Sequence, residues 1–183
     1  MKNTGLNDFQ RFFASFIGII TAGTATTALV LMSALAGIAP PWPASIIQIT
    51  AIAQLLVLIF TYQMFAKAGK KRIERLMTRA AVGLVLVAVT YLAMHSAFVF
   101  EMPNGEMGMK GVICSTDAHI LHATKCPFLS DEDIAAANFD VDKLYTTLGI
   151  LISRIAMLLG WVLSLVFLIR IVAAFVVYQR RMT

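Results

Sequence analysis

The sequence predicts an all-α integral membrane protein: a bundle of four transmembrane helices, with a disulfide-closed extracytoplasmic loop between helices three and four. Of its 183 residues, 59% are hydrophobic and 14% are charged, whereas charged residues make up about a quarter of a soluble domain. The apolar residues are gathered in four runs, each long enough for the ~20 residues that cross a hydrocarbon core of ~30 Å. We expect the spans at Phe12–Ile38, Ile46–Ala66, Ala80–Phe100 and Leu144–Tyr178.

The four runs are typical of helices rather than of membrane strands. Residues 84–89 are apolar at every position, whereas the strands of a membrane barrel alternate apolar and polar residues. Helices are the other structure that satisfies the backbone in lipid. The first run is longer than the apolar region of a signal peptide and leads directly into the second, so we expect it to be retained.

Short connections join the first three spans. The prolines of residues 39–43 interrupt the helix between spans one and two, and Trp42 has the amphipathic ring found at headgroup interfaces. Gly69 is expected to end the second helix. Ile73, Leu76 and Met77 recur at helical spacing, so the third helix is predicted to begin before it enters the membrane.

The distribution of charge predicts the orientation of this single domain, residues 1–183. The N-terminus, the loop 67–79 and the C-terminal tail carry ten basic residues against Asp8 and Glu74, while the loop 101–143 carries eight acids against three lysines. Basic residues near a span stay in the cytoplasm. We therefore expect an inner (plasma) membrane protein with both termini and the loop 67–79 in the cytoplasm.

Both cysteines, Cys114 and Cys126, fall in the extracytoplasmic loop, where an oxidising compartment favours their pairing. Such a bond would stabilise the loop by roughly 3 kcal/mol in the chain-entropy model. Within the same loop, residues 103–105 indicate a turn and Ser130 is a predicted helix N-cap. Asp140 or Asp142 is expected to cap the last span.

Two arginines, Arg154 and Arg170, lie inside the fourth apolar run. The fifteen residues between them span about 22 Å, less than a hydrocarbon core of ~30 Å, so at least one lies below the interface or snorkels. Glu101, at the outer end of span three, is the predicted partner of Arg154. An anion or lipid-headgroup site and simple snorkelling of a tilted helix both remain open.

His95 in span three is expected to be a hydrogen-bonded interface residue, with a sensor of external pH as the alternative.

Two further patterns permit binding or assembly. His119 and His122 lie at i and i+3 after several methionines, which suits copper or zinc, although oxidised cysteines would be lost as ligands and surface histidines are the simpler interpretation. In span one, small residues recur every fourth position and could close a homo-oligomer or pack within the chain. These residues are Ala14, Gly18, Ala22 and Thr26.

A cytoplasmic basic patch follows span two. It could bind anionic lipid or an acidic partner, or it could act only in setting topology. The patch comprises Lys67, Lys70, Lys71, Arg72, Arg75 and Arg79. Since basic residues of this kind are explained by topology, the net charge of +5 predicts no direct contact with nucleic acid.

No pattern of nucleophile and base, phosphate loop or Cys-x-x-Cys indicates an enzyme, and no cofactor is expected. The sequence favours a non-enzymatic, self-associating membrane subunit that anchors or senses for a partner protein, for example in a bacterial defence or toxin-immunity system. The first alternative is an oligomeric channel or small transporter that uses Arg154 and the span-one threonines. The second is handling of copper or zinc by the outer loop.

Overall fold

The computed structural model describes residues 36–66, 68–122 and 125–180, together with residues 24, 28 and 32. It is mostly helical, at 71%. In chain order the elements are α1 (Ile46–Ala66), α2 (Lys70–Phe98), β1 (Val99–Glu101), β2 (Met107–Met109), α3 (Thr116–His122), α4 (Asp131–Ala136), α5 (Val141–Leu144) and α6 (Thr147–Arg180). Three of these helices, α1, α2 and α6, are long and apolar enough to cross a membrane.

The first predicted span, Phe12–Ile38, lies mostly outside the described residues. Of its positions, Thr24, Ala28 and Met32 are helical, and residues 36–38 are described and lie outside any helix. The second span coincides with α1 at both ends. The third begins at Lys70, ahead of the apolar run, as the spacing of Ile73, Leu76 and Met77 predicts.

The large apolar side chains on α2 indicate the kind of environment that surrounds these helices. Val85, Leu86 and Val89 are each more than half exposed. Transfer of such side chains out of water is the main force that folds soluble domains. This exposed face therefore requires an apolar environment. Lipid would supply it, which agrees with the three helices that are long and apolar enough to cross a membrane.

Two predicted span boundaries differ from the structure, and both differences have the same physical cause. Phe100 was assigned to span three but lies in β1 and is 4% exposed. Leu144 was assigned to span four but ends α5 and is buried. Apolar residues are needed both next to lipid and inside a small protein core. Hydropathy alone therefore does not show where a membrane span ends and a protein core begins. Helix α1 also ends at Ala66 rather than at Gly69.

The predicted cap of the last span is also corrected. Asp140 precedes α5 and makes no side-chain capping bond there. Thr146 performs this role for α6, because its hydroxyl accepts the backbone N–H of Gly149 at 3.1 Å. The predicted cap of α4 is confirmed: Ser130 accepts the N–H of Asp133, whose carboxylate in turn accepts the N–H of Ser130.

The chain divides into two compact units. The first, called here the basic unit, includes Ile47–Leu86 and α6 from Val162 onward. Its core is formed where the end of α1, the start of α2 and the end of α6 pack together, through Phe65, Ile73 and Ala174. The Lys70 ammonium lies 5.1 Å from the centre of the Tyr178 ring, at the same end of these helices.

The second unit, called the loop unit, comprises Ile38–Ile46 and Val87–Trp161. Its core packs Phe100 from β1, Leu129 and Ile134 from the α4 region, and Tyr145 and Ile150 around the start of α6. The predicted disulfide between Cys114 and Cys126 is present, with an S–S distance of 2.05 Å.

Backbone contacts hold the start of α6 against the loop. Thr146 donates its N–H to the Ile113 carbonyl at 2.9 Å. A Cβ atom on Gly149 would lie 2.7 Å from the backbone nitrogen of Ile113, so only glycine permits this approach. We call the contact between residues 112–115 and the start of α6 the loop clamp.

Candidate functional site

A cavity of about 320 Å³ lies in the loop unit beside the first turns of α6. Its wall is built from four segments that are distant in sequence: the proline-rich turn, the β-hairpin, the segment around α5, and α6 itself. We call it the Trp42–Arg154 cavity, after the aromatic ring and the cation that line it. It is the place in the loop unit where charged, aromatic and thioether groups share one surface.

The β-hairpin supplies one wall of this cavity. Strands β1 and β2 pair antiparallel, and Gly105 closes their turn with a φ of 79°, a conformation that glycine adopts without strain. Gly108 lies so close to the ring of Phe100 that a Cβ atom would clash with the ring carbon Cζ. The hairpin contributes three thioethers to the wall, from Met102, Met107 and Met109.

The segment before α5 has an unusual backbone. Asn138 and Phe139 have φ values of 56° and 60°. The left-handed region is common for asparagine but rare for a bulky residue, and it costs on the order of 1–3 kcal/mol. The strained residue is held by its ring, which stacks on Phe100 with centroids 6.4 Å apart. Strain of this kind is typical of functional sites.

Two carboxylates follow on the same wall. Asp140 is half-buried and forms an ion pair of 2.9 Å with Lys143, whose hydrogen bond lowers the pKa of Asp140 below its ordinary value. Asp142 is exposed and lines the cavity. Asp140 therefore carries negative charge at neutral pH.

Arg154 lies two turns into α6 and is the cation of the cavity. Its guanidinium carbon is 5.8 Å from the centre of the Trp42 ring, within the range of a cation–π interaction. Its Nε atom is buried and has no hydrogen-bond acceptor among the residues that the structure describes. Buried donors are almost always paired, so this N–H is available to a ligand.

These groups suit recognition of a small amphipathic ligand. Arg154 would bind an anionic group, because a guanidinium donates parallel hydrogen bonds to carboxylate or phosphate. Trp42 and the methionines would contact its apolar part, and a positive group on the same ligand would meet Asp142. Among the described lining residues none is Ser, Thr, Cys or His.

The structure changes the predicted surroundings of Arg154. Glu101 is exposed on β1, and no ion pair joins it to Arg154 in the described part of the chain. Trp42 takes that place. His95 lies in the same unit, half-buried, with its ring 6.0 Å from that of Tyr91. Arg170 belongs to the basic unit and lines a different pocket.

The candidate metal ligands are not brought together with the cavity. His119 is exposed on α3, and the side chain of His122 lies outside the described residues. Over residues 36–66, 68–122 and 125–180, no three His, Cys, Asp or Glu side chains are grouped as a metal site would require. Both cysteines are in the disulfide. Metal binding by this loop stays a prediction.

The other predicted residues lie elsewhere. Lys70, Lys71, Arg72, Arg75 and Arg79 are exposed on the first turns of α2. Lys67 and the span-one stripe Ala14, Gly18, Ala22 and Thr26 lie outside the described residues.

Sequence reasoning identified Trp42 as an interfacial aromatic and Arg154 as an unusual intramembrane charge, but it did not place them together. It also missed Phe139 and interpreted Asp140 and Asp142 only as helix caps. The cluster of methionines before Lys110 was the available signal for this wall. Nothing in the local sequence indicates the left-handed backbone at Phe139.

Comparison with protein-family models, with curated proteins and with solved structures found no match to this chain.

Proposed function

We propose that this protein is a non-enzymatic, self-associating subunit of the inner membrane that senses a small amphipathic ligand outside the cytoplasm and signals to a partner protein. The ligand carries an anionic group and binds in the Trp42–Arg154 cavity. The observation that carries the proposal is the buried Arg154 Nε, which has no acceptor within the described part of the chain and lies next to an aromatic ring in a cavity with strained backbone.

The proposed topology has four spans, with both termini and the loop 67–79 in the cytoplasm. The charge asymmetry supports it, because ten basic residues lie in the proposed cytoplasmic segments. The disulfide supports an oxidising environment for the loop unit. In this orientation the cavity is open to ligands outside the cell membrane.

Tryptophan fluorescence offers a direct test of the cavity. The chain has two tryptophans, so a Trp161→Phe variant leaves Trp42 as the only indole reporter. We would titrate this variant with glycerophosphoethanolamine, glycerol 3-phosphate and glycerol. The phosphate-bearing probes are expected to change the emission of Trp42 saturably, while glycerol does not.

Arg154→Leu in the same background should abolish the response, and Lys125→Leu, an exposed change outside the cavity, should keep it. An equal response in the Arg154→Leu variant would show that the anionic group is not recognised by Arg154 and would contradict the proposal.

Native mass spectrometry of protein at its natural expression level tests the signalling role. A heteromeric complex with a defined partner is expected, and the number of copies of this chain tests self-association. A clean homo-oligomer without a partner, together with ion flux in liposomes that changes in Arg154→Leu, would replace the sensing proposal with the channel.

A further inference from the structure

Two arginines from different helices line one pocket of the basic unit. Arg79 lies on α2 and Arg170 on α6, and the pocket between them has a volume of about 290 Å³. In sequence the two residues belong to separate features, a cytoplasmic basic patch and an intramembrane charge. The structure assigns them to one site.

The two guanidiniums have no counterion among the residues that the structure describes. No hydrogen bond or ion pair joins either arginine to another residue in the described ranges, and no described acid lines the pocket. A guanidinium presents only donors and no acceptor, so each arginine requires an acceptor or an anion as its partner. Both side chains are exposed in the structure, and two cations that line one pocket give it a positive potential, which favours a bound anion.

The rest of the pocket is apolar. Its wall includes Phe65 and Met64 from α1, Leu76 from α2 and Phe167 from α6. Phe65 is 1% exposed, whereas Met64 is 45% exposed and would lie next to lipid. The ring of Phe167 is seated in a notch at Gly83, where a Cβ atom would be 2.7 Å from the ring. A soluble anion needs no such surface, but a lipid phosphate with its acyl chain does.

The position along the helices agrees with a headgroup. The apolar run of α2 begins at Ala80, directly after Arg79. Arg79 therefore marks the end of the membrane-crossing part of α2, and Arg170 shares its pocket. Basic pockets between transmembrane helices at this depth are characteristic of sites for anionic lipid headgroups.

We propose that Arg79 and Arg170 together bind the phosphate of an anionic phospholipid, with an acyl chain lying on Phe167 and Met64. The site does not depend on the proposed sensing function, because it uses other residues in the other unit. It also differs from a diffuse attraction of the basic patch, since Arg72 and Arg75 do not line the pocket.

The test is native mass spectrometry of the delipidated full-length protein in detergent, with dioleoyl phosphatidylglycerol or dioleoyl phosphatidylcholine added. The wild type is expected to bind the first lipid about tenfold more tightly, equivalent to one charge-assisted contact. An Arg79→Gln, Arg170→Gln variant should lose that preference. The matched control, Arg72→Gln with Arg75→Gln, removes the same charge and should keep it.

Two further arms make the result decisive. The Arg170→Lys variant keeps the charge and is expected to fold, with a preference between those of the wild type and the Gln variant. Glycerophosphoglycerol, the soluble headgroup, should bind much more weakly than the lipid. Equal loss in the matched control, no preference in the wild type, or equally tight binding of the soluble headgroup would each overturn the proposal.

Discussion

Lys110 shows at the scale of one residue how a charge is accommodated in the core of the loop unit. Its side chain is 9% exposed, and the ammonium donates to the Leu129 carbonyl at 2.8 Å and to Asp131 at 3.0 Å. Buried charges persist when they are paired and hydrogen-bonded. Lys110 therefore ties β2 and the residues after it to the segment that begins α4.

Replacing Lys110 with methionine should destabilise the loop unit. The Leu129 carbonyl would lose its donor, and an unsatisfied buried acceptor costs roughly 1–3 kcal/mol. Thermal unfolding of the purified protein measures the change. Lys125→Met is the control, because the Lys125–Asp133 ion pair is solvent-exposed on the lysine side and such pairs contribute little to stability. Equal destabilisation by the two changes would contradict the role of Lys110.

The lowered pKa of Asp133 should make the stability of the same unit sensitive to acid. Its hydrogen bonds with Ser130 and Lys125 lower its pKa from 3.8 to about 2. A carboxylate whose pKa is depressed in the folded state contributes stability above its ordinary pKa and loses it as the pH falls through the folded value. The unfolding temperature should therefore fall between pH 4 and pH 2 by an amount that Asp133→Asn removes. A variant with an unchanged acid profile would show that another group titrates.

Prediction from sequence at the residue scale succeeded where the chemistry is local. The cysteine pair and the Ser130 cap depend on the residues themselves and on their neighbours. The contact of Arg154 with Trp42 depends on how distant segments fold together, and no local pattern contains that information. For this reason Glu101, the acid at the outer end of span three, was preferred as its partner.

Among the elements, α6 depends most on a close approach of backbones. Gly149 lies so near Ile113 that an added Cβ would meet backbone atoms at 2.7 and 2.8 Å. Gly83 meets only the far end of the Phe167 ring, and Gly160 has a milder contact of 3.2 Å with Tyr91. A side chain can move aside more readily than a backbone.

Alanine at these glycines should therefore destabilise in a fixed order. Gly149→Ala should cost the most, within the roughly 1–3 kcal/mol of overpacking, followed by Gly83→Ala and then Gly160→Ala. Gly69→Ala is the control, because nothing lies within 4 Å of the added atom. Thermal unfolding in one detergent compares the four variants. A larger effect at Gly69 than at Gly149 would contradict the loop clamp.

The long elements were easier to predict than the short ones. Helices α1, α2 and α6 follow from apolar length and helical spacing. The β-hairpin has strands of only three residues, so its sequence contains too few positions to show an alternation, although its turn was predicted. The predicted start of α6 is wrong because Leu144 packs in a protein core and does not face lipid.

For the molecule as a whole, the proposed topology gives a prediction about chemical access. In a Cys114→Ser, Cys126→Ser background, a cysteine introduced at Asn104 should react with a membrane-impermeant maleimide on intact spheroplasts. One introduced at Lys71 should react only after the membrane is permeabilised. Both positions are exposed in the structure, so access depends on the side of the membrane. The reverse pattern would invert the topology and place the loop unit in the cytoplasm.

The length of α6 has a consequence for the thickness of membrane that the chain can match. Its 34 residues extend about 51 Å, against a hydrocarbon core of ~30 Å. One face of its last turns, with Ala173, Ala174 and Val177, is buried against other helices of the basic unit, whereas Phe175 on these turns is 53% exposed. The apolar length of the helix therefore exceeds the thickness of an ordinary hydrocarbon core. Such a helix matches an ordinary bilayer by tilting or by extending beyond the core at one end.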